Sequence, residues 1–217
     1  MSRPETDELT IDGPAGSLQA ILESPGDAEI VACAVVCHPH PLHGGTMTNK
    51  VAHTLARSFV NRNMAVLRFN FRGVDKSEGS FDEGAGEFED ALAAVRFMQD
   101  RFPGLPVWLG GFSFGAAIAI RVAAEIAPAG LVSVAPAVSR FAQGLETQPA
   151  CPWLIIQGDE DELVDVDETV EWVNTLEPGP ELQVFEGTDH FFHGKLVKLR
   201  QAVESFIEKS ASRPDRA

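Results

Sequence analysis

The chain has 217 residues, 44% of them hydrophobic and 23% charged, which suits one globular domain with a sizeable core and excludes a disordered or fibrous chain. Seventeen Lys and Arg residues face 32 Asp and Glu, a net charge of −15 that argues against nucleic acid and anionic membrane as partners. Three cysteines without repeated spacing (Cys33, Cys37, Cys151) fit a reducing compartment. Met1 to Asp7 is polar with no apolar core region behind it, and no run approaches transmembrane length. The expectation is a soluble cytoplasmic protein without a signal peptide.

Residues 1–6 are expected to be mobile. Leu9 to Ile11 and Leu18 to Leu22 flank Gly13-Pro14-Ala15-Gly16, which predicts an antiparallel hairpin at a sheet edge. Ile30 to Cys37 is a continuous apolar run, as in a strand covered on both faces. A Pro- and Gly-rich loop, His38-Pro39-His40-Pro41-Leu42-His43-Gly44-Gly45, follows it. Residues 48–62 read as a helix with Val51, Leu55 and Phe59 inward, and Met64 to Phe69 as a second buried strand. A loop then runs to Gly86, and helical spacing of Phe88, Ala91, Leu92, Val95 and Met98 predicts an amphipathic helix over 87–101.

Beyond Pro106 the pattern continues with strands at 107–110, 130–135, 153–157 and 182–185. Helices are predicted over 116–125, 166–176 and 194–209, the second opened by Asp165 and Glu168 in capping-box spacing. Residues 136–150 are expected as a short irregular connection, and 210–217 as a mobile tail. Strands alternating with helices imply a mostly parallel sheet covered on both faces, in a single domain spanning 1–217. Catalytic groups of such sheets gather at the carboxyl ends of the strands.

One such end carries Gly111-Phe112-Ser113-Phe114-Gly115, with an apolar strand before it and a helix of small residues after it. That is the strand–turn–helix setting of a nucleophile elbow. Glycines two positions before and two after Ser113 remove side chains that would collide in so tight a turn. The Phe114 backbone N–H, at the helix start, is placed to stabilise negative charge in front of the serine.

A serine hydroxyl needs a base, and the base needs a group that fixes its tautomer. After Ser113, Gly158-Asp159-Glu160-Asp161-Glu162 offers carboxylates, of which Asp161 is favoured and the others read as solvated loop charges. His190, just past the last strand, is the base, with His193 read as exposed or structural and Asp189 as a turn residue. A second oxyanion N–H must come from the loop after Cys37, where Pro39 and Pro41 have none. His40 or Leu42 remains, and His40 is preferred by its place in the motif.

In these residues the chain resembles the α/β-hydrolase superfamily, in particular small lidless serine hydrolases related to dienelactone hydrolases. The likeness rests on His38-Pro39-His40-Pro41 with Gly44-Gly45, Asn70-Phe71-Arg72-Gly73-Val74, Gly111 to Gly115, the Gly158 to Val164 loop, and Asp189-His190-Phe191-Phe192. It implies an α/β-hydrolase fold with no lid domain and a Ser113–His190–Asp161 triad. Dienelactone hydrolases usually carry cysteine at the elbow, so Ser113 points to ordinary ester chemistry. Asp75-Lys76 stands where relatives often have a second glycine.

The expected activity is cleavage of small carboxylic esters through an acyl-enzyme on Ser113, with thioesters and amides as alternatives. A non-catalytic scaffold is the reading from another class. No cofactor and no metal are expected: His38, His40 and His43 are similar to a metallo-β-lactamase-type signature, but Leu42 stands where that signature has an aspartate. The expected partner is a small ester, with no nucleic acid and no membrane, in a monomer or homodimer. Phe112, Phe114, Phe191 and Phe192 are candidates for the pocket wall, with core packing expected for at least half of them. Arg72 reads as a loop-bracing salt bridge ahead of a substrate contact.

Overall fold

The computed structural model describes residues 4–141 and 147–211. Its strands are β1 (Glu5–Gly13), β2 (Gly16–Ser24), β3 (Ala32–Cys37), β4 (Met64–Phe69), β5 (Val107–Phe112), β6 (Gly130–Val134), β7 (Trp153–Gly158) and β8 (Glu181–Phe185). The α-helices are α1 (Lys50–Val60), α2 (Ala85–Arg101), α3 (Phe114–Ile126), α4 (Val138–Phe141), α5 (Val166–Val173) and α6 (Leu196–Ala211). One sheet contains all eight strands in the order β1-β2-β4-β3-β5-β6-β7-β8. The β1–β2 hairpin joins β4 antiparallel, and every pairing from β4 across to β8 is parallel.

The central strands β3 to β7 are buried along their whole length, which is why they read as unbroken apolar runs. Val51, Leu55 and Phe59 of α1 pack with Leu199, Val203 and Phe206 of α6 on one face. Leu92, Val95 and Met98 of α2 pack with Ile118 and Val122 of α3 on the other. Helix α3 buries nine of its thirteen residues, as its composition of Ala, Ile and Val requires.

Strand order reverses at β3: α1 carries the chain to β4 on one side, and α2 carries it back to β5 on the other. The crevice beyond Cys37 and Phe112 is therefore the switch point where α/β sheets bind ligands. Between β6 and β7 the described residues hold the four-residue α4 and no lid domain.

Element boundaries move in identifiable ways. Strand β1 begins at Glu5, inside the segment expected to be mobile, because Glu5 and Thr6 pair with Ser24 and Glu23. Helix α2 starts at Ala85, where the Glu87 carboxylate accepts from the Gly84 N–H at 2.7 Å and the Asp82 N–H at 3.0 Å. Helix α6 runs on through Ala211. Residues 1–3, 142–146 and 212–217, parts of the segments expected to be mobile or irregular, lie outside the described residues.

Candidate active site

Ser113 sits between the last residue of β5 and the first of α3. Its backbone adopts φ 56, ψ −117, a region that side chains with a Cβ avoid at a cost of roughly 1–3 kcal/mol. The surroundings impose it. The Ser113 N–H donates to the Val134 carbonyl at 2.9 Å, and the Ser113 carbonyl accepts from Ala116 and Ala117 at 3.1 and 3.2 Å. A Cβ on Gly111 would collide with the Gly115 carbonyl, and one on Gly115 with the Cys37 and His38 carbonyls. The two glycines thus let the first turn of α3 close onto the ends of β3 and β5.

Ser113 Oγ lies 3.0 Å from His190 Nε2, and His190 Nδ1 lies 2.8 Å from Asp161 Oδ2. An ionised carboxylate can only accept, so Nδ1 carries the proton and Nε2 accepts from the serine hydroxyl. The His190 and Asp161 side chains are both buried. Asp161 Oδ1 accepts from the Leu163 and Val164 N–H groups at 2.9 and 2.8 Å, and Oδ2 accepts from Gln157 Nε2 at 2.9 Å. Burial works against this carboxylate, but the His190 bond and charge and the Val164 and Leu163 N–H groups outweigh it. The net effect holds Asp161 below the usual carboxylate range.

The flanking acids are exposed, as expected from sequence, and two of them also bond across to the next loop. Asp159 Oδ1 accepts from the Thr188 N–H at 3.3 Å, and Glu162 Oε2 accepts from the His190 N–H at 3.2 Å. The Glu160 N–H donates to the Thr188 carbonyl at 3.1 Å. The loops after β7 and β8 are laced together residue by residue, and Gly158 permits it, since a Cβ there would strike the Thr188 carbonyl. His193 is exposed and paired with Asp189 at 2.7 Å, so neither joins the Ser113 constellation.

On the opposite side of Ser113 lies the loop after β3. Among the described residues neither the Phe114 nor the His40 N–H has a protein acceptor, whereas the Leu42 N–H donates to His40 Nδ1 at 3.2 Å. Of the two donors left open by the prolines, His40 is the uncommitted one. His38 is fully buried, its Nδ1 donating to the Pro39 carbonyl at 2.6 Å and its Nε2 accepting from the Phe71 N–H at 3.0 Å. Burial lowers its pKa to about 4, with the Pro39 bond working the other way. Both of its nitrogens are thus spent within the protein, which leaves His38 none for a metal ion. No cluster of three His, Cys, Asp or Glu able to hold a metal occurs among the described residues.

Arg72 pairs with the buried Asp90 of α2 through Nη2 at 2.7 Å and Nε at 3.0 Å, which braces the loop after β4. Asn70 Oδ1 accepts from the Met47 N–H at 2.8 Å, and its Nδ2 donates to Asp75 Oδ2 at 3.0 Å. Asp75 itself adopts φ 48, the left-handed conformation that glycine takes most readily. Phe112, Phe114 and Phe192 are core, while Phe191 is 41% exposed with its ring 5.2 Å from the His190 ring. The half-buried rings of His40 and of Phe81 and Phe141, the last two missed from sequence, surround Phe114 at ring distances of 5.1, 5.9 and 4.8 Å. Gln157 was also missed: it reads as one more residue of a buried strand, and no spacing marks it.

A family model described as serine aminopeptidase, S33, matches residues 34–150, more than half of the chain. The chain belongs to the α/β-hydrolase superfamily. The matched span contains Ser113 and ends before Asp161 and His190. XC6422 from Xanthomonas campestris, described as an α/β serine hydrolase without lid, is 40% identical and superposes with a TM-score of 0.92 over 97% of both chains. An α/β serine hydrolase homologue from Coxiella burnetii is 44% identical, with a TM-score of 0.87 over 92% of this chain and 96% of that one. An uncharacterized protein of Rickettsia prowazekii (strain Madrid E) is 32% identical, over 92% of this chain and 88% of its own. Hydrolytic chemistry is what this membership carries. No helix among the described residues is long and apolar enough to cross a membrane.

Proposed function

We propose that the protein is a single-domain serine hydrolase that cleaves small carboxylic esters through an acyl-enzyme on Ser113. The observation that carries this reading is the contact series of hydroxyl, imidazole and carboxylate, at 3.0 and 2.8 Å. Ser113 Oγ attacks the ester carbonyl as His190 Nε2 takes its proton. Asp161 stabilises the imidazolium that forms. The Phe114 and His40 N–H groups hold the oxyanion, helped by the positive end of α3. His190 then protonates the leaving alcohol, and water attacks the acyl-enzyme by the reverse sequence.

The absence of a lid domain among the described residues favours short, accessible esters over long lipids. Three free cysteines accord with work in the cytoplasm. The test is a panel of aryl and alkyl esters, thioesters and amides, with a fluorophosphonate label located by mass spectrometry. Turnover of small esters and a label on Ser113 are expected. A label elsewhere, or turnover unaffected by Ser113→Ala, refutes the mechanism. Preferential turnover of thioesters or amides would keep the triad and change the substrate class.

A further inference from the structure

The two edges of the sheet are built differently. The β1 edge carries Glu5, Asp7, Glu8 and Asp12 within nine residues, so a second β1 would meet acid with acid. The β8 edge has no such guard. Strand β7 is buried throughout, whereas β8 is half-covered, with Val184 45% exposed.

The backbone of β8 shows what it can accept. The Asp159 N–H donates to the Phe185 carbonyl, so Phe185, and with it Gln183 and Glu181, turns its polar groups toward β7. Leu182 and Val184, alternating with them, turn theirs outward. An antiparallel copy of β8 centred on Gln183 would set Leu182 opposite Val184 of the copy and Val184 opposite its Leu182. Those are the two residue pairs able to exchange backbone hydrogen bonds.

The side chains complement one another in that register. On one face stand Glu181, Gln183 and Phe185, with Gln183 Nε2 donating to Glu181 Oε1 at 2.7 Å. Lys198 of α6 lies over the Phe185 ring, its Nζ 4.0 Å from the centroid. Glu181 of the copy falls opposite Phe185 and so beneath Lys198, giving an ion pair that the two-fold axis repeats. On the other face Leu182 meets Val184, an apolar cross-strand pair made twice, beside Trp172 and Leu176, which pack on the same side as Leu182.

We propose that β8 is a homodimer interface, in which two copies pair antiparallel about Gln183 and extend one sheet through both subunits. The occupant is a second copy because the edge is self-complementary in hydrogen bonds, charge and apolar pairing at a single register. The inference stands apart from the hydrolytic reading.

Sedimentation velocity of the full chain over a micromolar-to-millimolar dilution series is the test. A dimer is expected. Val184→Lys, at an exposed site, should yield monomer with an unchanged near-UV circular dichroism spectrum. Glu181→Lys and Lys198→Glu should each weaken the dimer by about tenfold or more, and combining them should restore it, because the charges are exchanged across the axis. A monomer at every concentration, or a dimer indifferent to Val184→Lys, overturns the proposal, as does failure of the double variant to recover. Fluorophosphonate labelling of Ser113 in the monomeric variant reports separately on the hydrolytic site.

Discussion

The two flanks of Ser113 are held by different physics. On the His190 flank, the loops after β7 and β8 are joined by charge-assisted and backbone hydrogen bonds, and one carboxylate takes four donors. On the His40 flank, the loop after β3 is held by two proline rings, a fully buried neutral His38 and a cluster of aromatic rings. The first flank must move a proton and support a transient cation, so its order is electrostatic. The second only has to present N–H groups at a fixed place, so packing suffices. Chemical substitutions without change of volume should therefore injure the first flank most, and acid should injure the second.

The largest effects should come from the residues in the contact series. Ser113→Ala should abolish fluorophosphonate labelling, and either Ser113→Ala or His190→Ala should lower kcat by roughly 10⁴-fold or more. Near-normal turnover in His190→Ala would remove it as the base. Asp161→Asn tests the electrostatic flank without changing its shape. The amide offers an N–H toward Nδ1 and favours the wrong imidazole tautomer, so kcat should fall about 10³- to 10⁴-fold with little change in KM. A loss below tenfold would show that the tautomer is set by something other than this carboxylate.

The same contrast explains what the sequence disclosed. Alternating apolar runs revealed the doubly covered sheet because β3 to β7 are buried on both faces, so burial and periodicity carry the same information. Ser113, Asp161 and His190 stood out because each falls at a strand end beside glycine or polar residues. Gln157 did not, because its role depends on which way a buried side chain turns. Glu87 and Asp90 were hidden likewise: both lie on the buried side of α2, where charge is normally excluded. Arg72, the partner of Asp90, is fixed by the tertiary fold and leaves no local trace, whereas Glu87 caps its own helix at the Gly84 N–H, a glycine N-cap that carries no side-chain signal. The lacing of Asp159 and Glu162 to residues 188–190 was unreadable for the same reason.

Acid sensitivity probes the packed flank. His38 titrates near its ordinary value of about 6.5 in the unfolded chain and is pushed down to about 4 in the fold. Between those values the unfolded state binds the extra proton, so stability falls as pH drops from about 6.5 to 4 and the loss is complete below that. At full effect this is roughly 3 kcal/mol. His38→Gln keeps a donor for the Pro39 carbonyl and an acceptor for the Phe71 N–H but does not titrate. Urea unfolding at pH 7 and pH 4.5 should show a smaller acid-induced loss in the variant than in the wild type. Equal losses would mean that the buried imidazole contributes nothing to the acid sensitivity.

The smallest expected effect asks whether the electrostatic flank extends into the sheet. Gln157 Nε2 donates to Asp161 Oδ2, the oxygen that also accepts from His190, and to the Val164 carbonyl at 3.1 Å. Its Oε1 is buried without a partner among the described residues. Gln157→Met keeps the volume, removes the donor and removes the orphaned acceptor, so stability should change by no more than about 1 kcal/mol. With one donor fewer, Asp161 Oδ2 keeps more charge for the imidazolium and is less firmly aimed. Glu162 and Asp159, the other acids bonded to the His190 loop, are untouched. The expected result is a kcat lower by about tenfold at unchanged KM. A purely structural glutamine would instead lower stability and leave kcat in place, and the electrostatic flank would then end at Asp161.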